Sequence, residues 1–387
     1  MMALVRLLGV LFSLCLWGCA SVAQKTPLLT DNAPLAKALS GELILGHPYT
    51  AAELPQHELF ELTPTMKNFA TAAVAGISGA DKKAEALHQA LMTSEQRGGR
   101  GITYSAYKTN TGINAFEDRQ ANCLSYTLLY VAMARYLGLK AEVNEVLLPP
   151  TWDMRDGDTY VFMRHVNAKV FLSRDDPHSW IKTVKTADVS DIVVDLEMRR
   201  FRPHYKQKIL GKDLVAAQFY SNRGMELSSE GNPREAFLYL RKALLMSAEP
   251  SYVWSNFGSL YRREGFLAEA EAVYLHGLKV NPRDYSIMHN LAGIYKERGD
   301  QERADYYQER VRKHRNSNPY YIYRRALDEN EKQNYQKALG LIKKAISKEK
   351  DEVRFYRLAV AIYDALGDAE NAEHMRDKVY QLSTIRF

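Results

Sequence analysis

Apolar and polar positions divide the first half of the chain into stretches of different period. Residues 7–17 form an unbroken apolar run behind one charge, Arg6, and the run is too short to span a bilayer unaided. Residues 20–55 are polar and Pro-rich with no sustained period, which predicts an extended tether. Residues 58–92 carry two amphipathic helical stretches, split by Gly76-Ile77-Ser78-Gly79, and Gly98-Gly99-Arg100-Gly101 reads as a turn. Residues 122–137 predict one buried helix. Leu124, Leu128, Val131 and Arg135 mark a stripe, Asn122 is a good N-cap and Gly138 a typical stop. Extended runs follow at 141–148, 159–172 and 191–197. In the second run His165, Asn167 and Lys169 share one face, opposite Val166, Ala168 and Val170.

From residue 217 the pattern repeats every 34 residues, with Ala236, Ala270, Ala304, Ala338 and Ala372 in register. The second unit reads Trp254, Phe257-Gly258, Tyr261, Ala270, Tyr274, Gly277 and Pro282. Those spacings resemble the tetratricopeptide repeat, in which small residues mark a close helix crossing and large apolar ones fill the gap to the next unit. The fourth unit departs from the pattern at Arg325 and Glu329. The resemblance implies an all-α solenoid of five units with a concave groove for a protein or peptide partner. Tyr252, Arg262, His289, Tyr320, Tyr323 and Arg357 fall on the groove side of the first helices.

Composition narrows the function classes. The 387 residues carry a formal charge of +6 with acids and bases interleaved, which does not indicate nucleic-acid binding. No His, Cys or Asp cluster has metal-ligand spacing, and no Gly-rich loop ends in Lys-Ser or Lys-Thr, so neither a metal nor a cofactor is expected. Leu16-Trp17-Gly18-Cys19 resembles a bacterial lipobox, which implies cleavage before Cys19 and lipid on its thiol. Ala20 and Ser21 follow, with no Asp at the second mature position; by the same resemblance this favours the periplasmic face of the outer membrane. Cys15 would leave with the signal, so Cys123 is the one thiol left and no internal disulfide can form.

Cys123 falls directly after the predicted N-cap. Unpaired N–H groups and the helix dipole there favour a thiolate and can receive an oxyanion. The helix opened by Cys123 ends in Arg135-Tyr136-Leu137-Gly138, and strands follow. Together with His165 opening HVNAKV and Asp195 in IVVDLE, this resembles the papain-type core of the transglutaminase-like superfamily over about 60–205. The resemblance implies Cys123 as nucleophile, His165 as its base and Asp195 as the orienting acid, with Asp191 and Asp188 as other candidates for that last role. The Gly that precedes the family's Cys is replaced by Ala121-Asn122, and the Trp familiar beside its strand His is absent. Gln120 and Asn122 are candidate oxyanion donors.

The expected organisation is a signal peptide at 1–18 and a lipidated Cys with linker at 19–57. An α+β papain/transglutaminase-like domain at 58–205 and an all-α tetratricopeptide solenoid at 213–382 would follow. Two functions fit: a thiol hydrolase or acyltransferase acting on polypeptide amides, or a non-catalytic scaffold with a relic triad. Cys19→Ala should move the protein from the membrane pellet to the soluble periplasmic fraction; continued pelleting would contradict lipidation.

Overall fold

The computed structural model describes residues 32–106, 108–147, 151–152, 160–161, 164–172, 191–196 and 205–384, and every structural statement concerns these. Cys19 with the expected signal segment, Asp188 and residues 153–159 lie outside them.

Two short helices come first, α1 (Ala33–Ser40) and α2 (Glu42–Leu45), then α3 (Pro64–Ala73) and α4 (Ala80–Met92). A two-stranded parallel pair, β1 (Thr103–Tyr104) and β2 (Gln120–Ala121), brackets α5 (Gly112–Asp118). Helix α6 (Cys123–Tyr136) is buried at every position from Leu124 to Ala134. Its sequence lacks a polar face, so no side can be left to water. Strands β3 (Lys140–Leu147), β4 (Thr151–Trp152), β5 (Tyr160–Val161), β6 (Arg164–Phe171), β7 (Asp191–Val194) and β8 (Gln207–Ile209) follow. The main sheet is antiparallel in the order β7-β6-β3-β8.

The extended run at 159–172 holds two described strands: β6 pairs with β3 from Leu147↔Arg164 to Lys140↔Phe171, and Val161 and Tyr160 of β5 pair with Thr151 and Trp152 of β4. β8 has three residues and no clear alternation, so the sequence pattern passes over it.

Residues 212–384 form five helix pairs. α7 (Lys212–Ser229) pairs with α8 (Pro233–Met246), and α9 (Ser251–Arg263) with α10 (Leu267–Val280). α11 (Tyr285–Glu297) with α12 (Gln301–Ser317), α13 (Pro319–Glu331) with α14 (Tyr335–Lys348) and α15 (Val353–Ala365) with α16 (Ala369–Thr384) complete the array. The second helices begin at Pro233, Leu267, Gln301, Tyr335 and Ala369, one period apart. At the crossing of α9 and α10 a Cβ on Gly258 would sit 2.6 Å from the Tyr274 ring, so only glycine fits.

The apolar interior is in two parts. One core runs from α1 through α6 and the sheet to Ala304 on α12; the other spans Ile322 to Ala372. The residues at the break explain it. Gln308 stands where the first, second and fourth repeats carry Leu240, Tyr274 and Ile342, and Arg312 where they carry Leu244, Leu278 and Ile346. Arg325 stands where the second, third and fifth carry Phe257, Leu291 and Ala359, and the first carries Arg223. Polar side chains at seam positions cannot continue an apolar core. A cavity of about 330 Å³ opens there instead, lined by His289, Asp305, Gln308, Glu309, Val311, Arg312 and Arg315.

The tether expected up to residue 57 requires correction. From residue 32 onward it is a strap folded on the repeats. Leu35, Ala38, Leu39 and Leu45 are buried, with α1 packed on α10 and α2 on α8. Tyr261 Oη donates to Ala38 O at 2.7 Å, Arg241 Nε to Leu39 O at 3.1 Å and Arg234 Nη1 to Leu45 O at 2.7 Å. The backbone N–H of His57 donates to Tyr220 Oη at 3.0 Å, and its Nε2 meets Tyr239 Oη at 2.8 Å. The apolar residues are too few for a visible period, but helices of the first two repeats supply their partner surface.

Gly41 joins α1 to α2 at φ +81°, and a Cβ there would lie 2.4 Å from the buried Phe237 ring on α8. Gly41→Val should therefore destabilise the chain by about 1–3 kcal/mol. An unchanged urea midpoint would show that the strap does not seat on α8.

Candidate active site

The mouth of α6 is tied down by polar contacts. Asn122 Oδ1 accepts from Ser125 N at 2.8 Å and Ser125 Oγ at 2.9 Å. Its Nδ2 donates to Thr109 Oγ1 at 2.8 Å. Thr109 N in turn donates to Glu226 Oε1 on α7 at 2.8 Å, and Asn110 N to Ser125 Oγ at 2.7 Å. Asn122 is thus a working N-cap, with one Nδ2 hydrogen bond made to Thr109. Gln120 is exposed, and its backbone oxygen accepts from Asn110 Nδ2. Cys123 is half-buried, with no disulfide partner, in the first turn. Cys123 and Leu124 supply the first-turn N–H groups that Asn122 does not take up.

His165 and Asp195 meet by strand register. β6 pairs with β7 so that Ala168 faces Val194, which carries Asp195, the next residue, toward the side of β6 that holds His165 and Asn167. His165 Nε2 bonds Asp195 Oδ2, and Asn167 Nδ2 donates to the same oxygen at 3.4 Å. Asp195 is only 2% exposed. A carboxylate that deep costs several kcal/mol unless it is paired, so the imidazole is part of the reason it can be there. With Nε2 engaged, Nδ1 is the ring nitrogen left to exchange a proton with a thiol.

Two opposing effects act on the imidazolium. Burial disfavours it; hydrogen bonding to Asp195, then to Cys123, and their negative charge favour it, and the value rises to about 9. The structure thus brings Cys123, His165 and Asp195 into one interacting group. Asp191 is held elsewhere, paired with Lys169 at 2.7 Å. His88 on α4 lies beside the group, its Nδ1 2.6 Å from Tyr126 Oη, and burial lowers its own titration. Nothing in the sequence pattern singled it out. Asn167 shares the His165 face by the alternation of the strand, and that alternation is the sequence signal that links it to Asp195.

The groove positions have varied surroundings. Tyr320 and Tyr323 pack on Phe355 with ring centroids 5.4 and 5.0 Å apart, and the Arg354 guanidinium lies 5.6 Å from the Tyr320 ring. Arg262 is ion-paired to Glu297. Tyr252 is half-buried at a second cavity of about 270 Å³, which also includes Glu145, Lys208 and Glu249. His289 and Arg357 are exposed.

Residues 67–183 match the transglutaminase-like superfamily, and residues 217–250 match the tetratricopeptide repeat. The chain carries a transglutaminase-like domain followed by tetratricopeptide repeats. No curated protein matches it. Among solved structures it is similar to MamA 41-end from Desulfovibrio magneticus RS-1, at 18% identity over 45% of this chain and 97% of that one, TM-score 0.25. It is also similar to YrrB, described as a TPR protein with an unusual peptide-binding site, at 17% identity over 43% and 86%, TM-score 0.25. BtubC (BKLC) from P. vanneervenii matches at 19% identity over 45% and 83%, TM-score 0.25.

The His165 ring should titrate near pH 9 in a histidine-selective NMR experiment. Its folded value lies above the unfolded value of about 6.5. The stabilisation it brings is therefore full below about 6.5 and is lost as pH rises through about 9. Asp195→Asn should lower the midpoint, because burial remains and the carboxylate is gone; an unmoved midpoint would exclude the pair as its cause.

Proposed function

We propose that the transglutaminase-like domain is a thiol acyl-transfer enzyme acting on polypeptide amide bonds, with hydrolysis as its main outcome. The observation that carries this reading is the buried His165–Asp195 pair facing a half-buried thiol at a helix N-terminus.

Cys123 Sγ gives its proton to His165 and becomes the nucleophile. Sulfur attacks the amide carbon, a C–S bond forms and the carbonyl oxygen takes the negative charge. The Cys123 and Leu124 N–H groups receive that charge. The C–N bond then breaks, and the amine leaves with the proton from His165. Water attacks the thioester, giving its proton to the now neutral imidazole; the C–S bond breaks and the carboxylic acid departs. An amine in place of that water gives transfer instead of hydrolysis. Asp195 holds the ring with Nδ1 toward the sulfur throughout.

The repeats recruit a protein or peptide along the concave face, at Tyr252, Arg262, His289, Tyr320, Tyr323 and Arg357. Tyr and Arg are the residue types that anchor protein interfaces. Lipid on Cys19 tethers the protein to the periplasmic face of the outer membrane, a reading supported by the lipobox-like Leu16-Trp17-Gly18-Cys19.

Cys123→Ala should fold with an unchanged unfolding midpoint and retain partner binding, while hydrolysis of amide substrates drops at least about 10³-fold. Full activity in the purified variant would sink the enzymatic reading and leave the scaffold. Alkylation of the wild-type thiol by iodoacetamide should fall sharply in His165→Ala.

A further inference from the structure

Behind the His165–Asp195 pair lies a row of amides that the chemistry above does not use. Asn167 is fully buried; its Nδ2 reaches Asp195, and its Oδ1 accepts from Asn144 Nδ2 at 2.8 Å. Asn144, also fully buried, stands directly opposite Asn167 in the β3–β6 register. The same Asn144 Nδ2 reaches Gln207 Oε1 on β8 at 3.1 Å. Lys169 Nζ meets that oxygen at 3.4 Å and pairs with Asp191 at 2.7 Å. The row thus crosses the sheet from the end of β7, through β6 and β3, to β8.

This arrangement is costly for a sheet interior. Asn144 Oδ1 is buried with no hydrogen-bond partner among the described residues. Such an orphan costs about 1–3 kcal/mol, whereas an apolar pair of the same shape at both positions would be nearly neutral or stabilising. Stability therefore does not account for the two asparagines. Their geometry offers another reason. Asp195 Oδ2 takes a bond from the imidazole and one from Asn167, so the carboxylate cannot turn without losing both. Asn167 in turn cannot rotate without releasing Asn144.

We propose that Asn167, Asn144 and Gln207 are positioning residues that lock the Asp195 carboxylate onto His165 Nε2 through this row. Its purpose rests on the acyl-transfer reading; its geometry does not. The other ionisable groups near the pair are Cys123 and Tyr126 on α6 and His88 on α4, with Lys169 and Asp191 at the far end of the row.

The test uses the full chain carrying Asn144→Leu together with Asn167→Leu, with three readouts. These are the thermal midpoint, the His165 NMR titration and the rate of Cys123 alkylation by iodoacetamide at pH 7. The thermal midpoint should hold or rise. The His165 midpoint should fall by about one unit or more as the carboxylate is freed to turn, and alkylation should slow about tenfold. Asn167→Ser, which introduces no bulk, guards against misfolding of the double variant and should move His165 in the same direction. An unmoved His165 midpoint in either folded variant overturns the row, whatever happens to turnover. Full hydrolysis by Cys123→Ala would instead sink the enzymatic reading while leaving these midpoints as evidence of positioning.

Discussion

Everything in the amino-terminal half is organised around a helix with no solvent face. From Leu124 to Ala134 every side chain of α6 is buried, so the helix can neither roll nor slide without exposing core. Its packing therefore sets where its first turn lies, and Cys123 with it. The mouth is then fixed by polar contacts among Asn122, Ser125, Thr109 and Asn110, and Glu226 connects that cluster to the first repeat. The position of the thiol is a consequence of hydrophobic burial along the whole helix, refined by a few hydrogen bonds at its end.

A second constraint comes from the carboxylate. Asp195 is too deep to be solvated, so its charge must be matched from within the sheet. His165 and Asn167 do this from one strand because alternate residues share a face. The apolar alternates Val166, Ala168 and Val170 belong to the same core as α6. One strand thus separates two environments, a dry core and a polar row. Such a row lowers stability compared with an apolar one, which is the common relation between a site and the fold that carries it.

The repeats show how much a regular pattern can hide. Their helices start one period apart from end to end, yet Gln308, Arg312 and Arg325 interrupt the apolar interior after the third unit. Periodicity governs where helices begin; the chemistry of a few seam positions governs whether neighbouring units share a core. At the other end of the array the strap from Asn32 to His57 lies on α8 and α10 and reaches Tyr261 on α9 and Tyr220 on α7. The first three repeats, the strap and the main sheet share one apolar core, and the last two repeats have another.

Local features are legible in the chain itself. The Asn122 cap before Cys123 and the alternation in HVNAKV depend on neighbours a few residues away, and the 34-residue period on the same spacing recurring unit after unit. Distant meetings were decided by the tertiary structure. The pairing of Ala168 with Val194 brings Asp195 to His165, and the pairing of Asn144 with Asn167 builds the polar row; neither register can be read from one strand alone. The strap looks like a tether in sequence because Leu35, Leu39 and Leu45 reveal their purpose only against Phe237, Arg241 and Tyr261, some two hundred residues further on. Burial is a property of surfaces brought together, and a linear pattern records only one of the two surfaces.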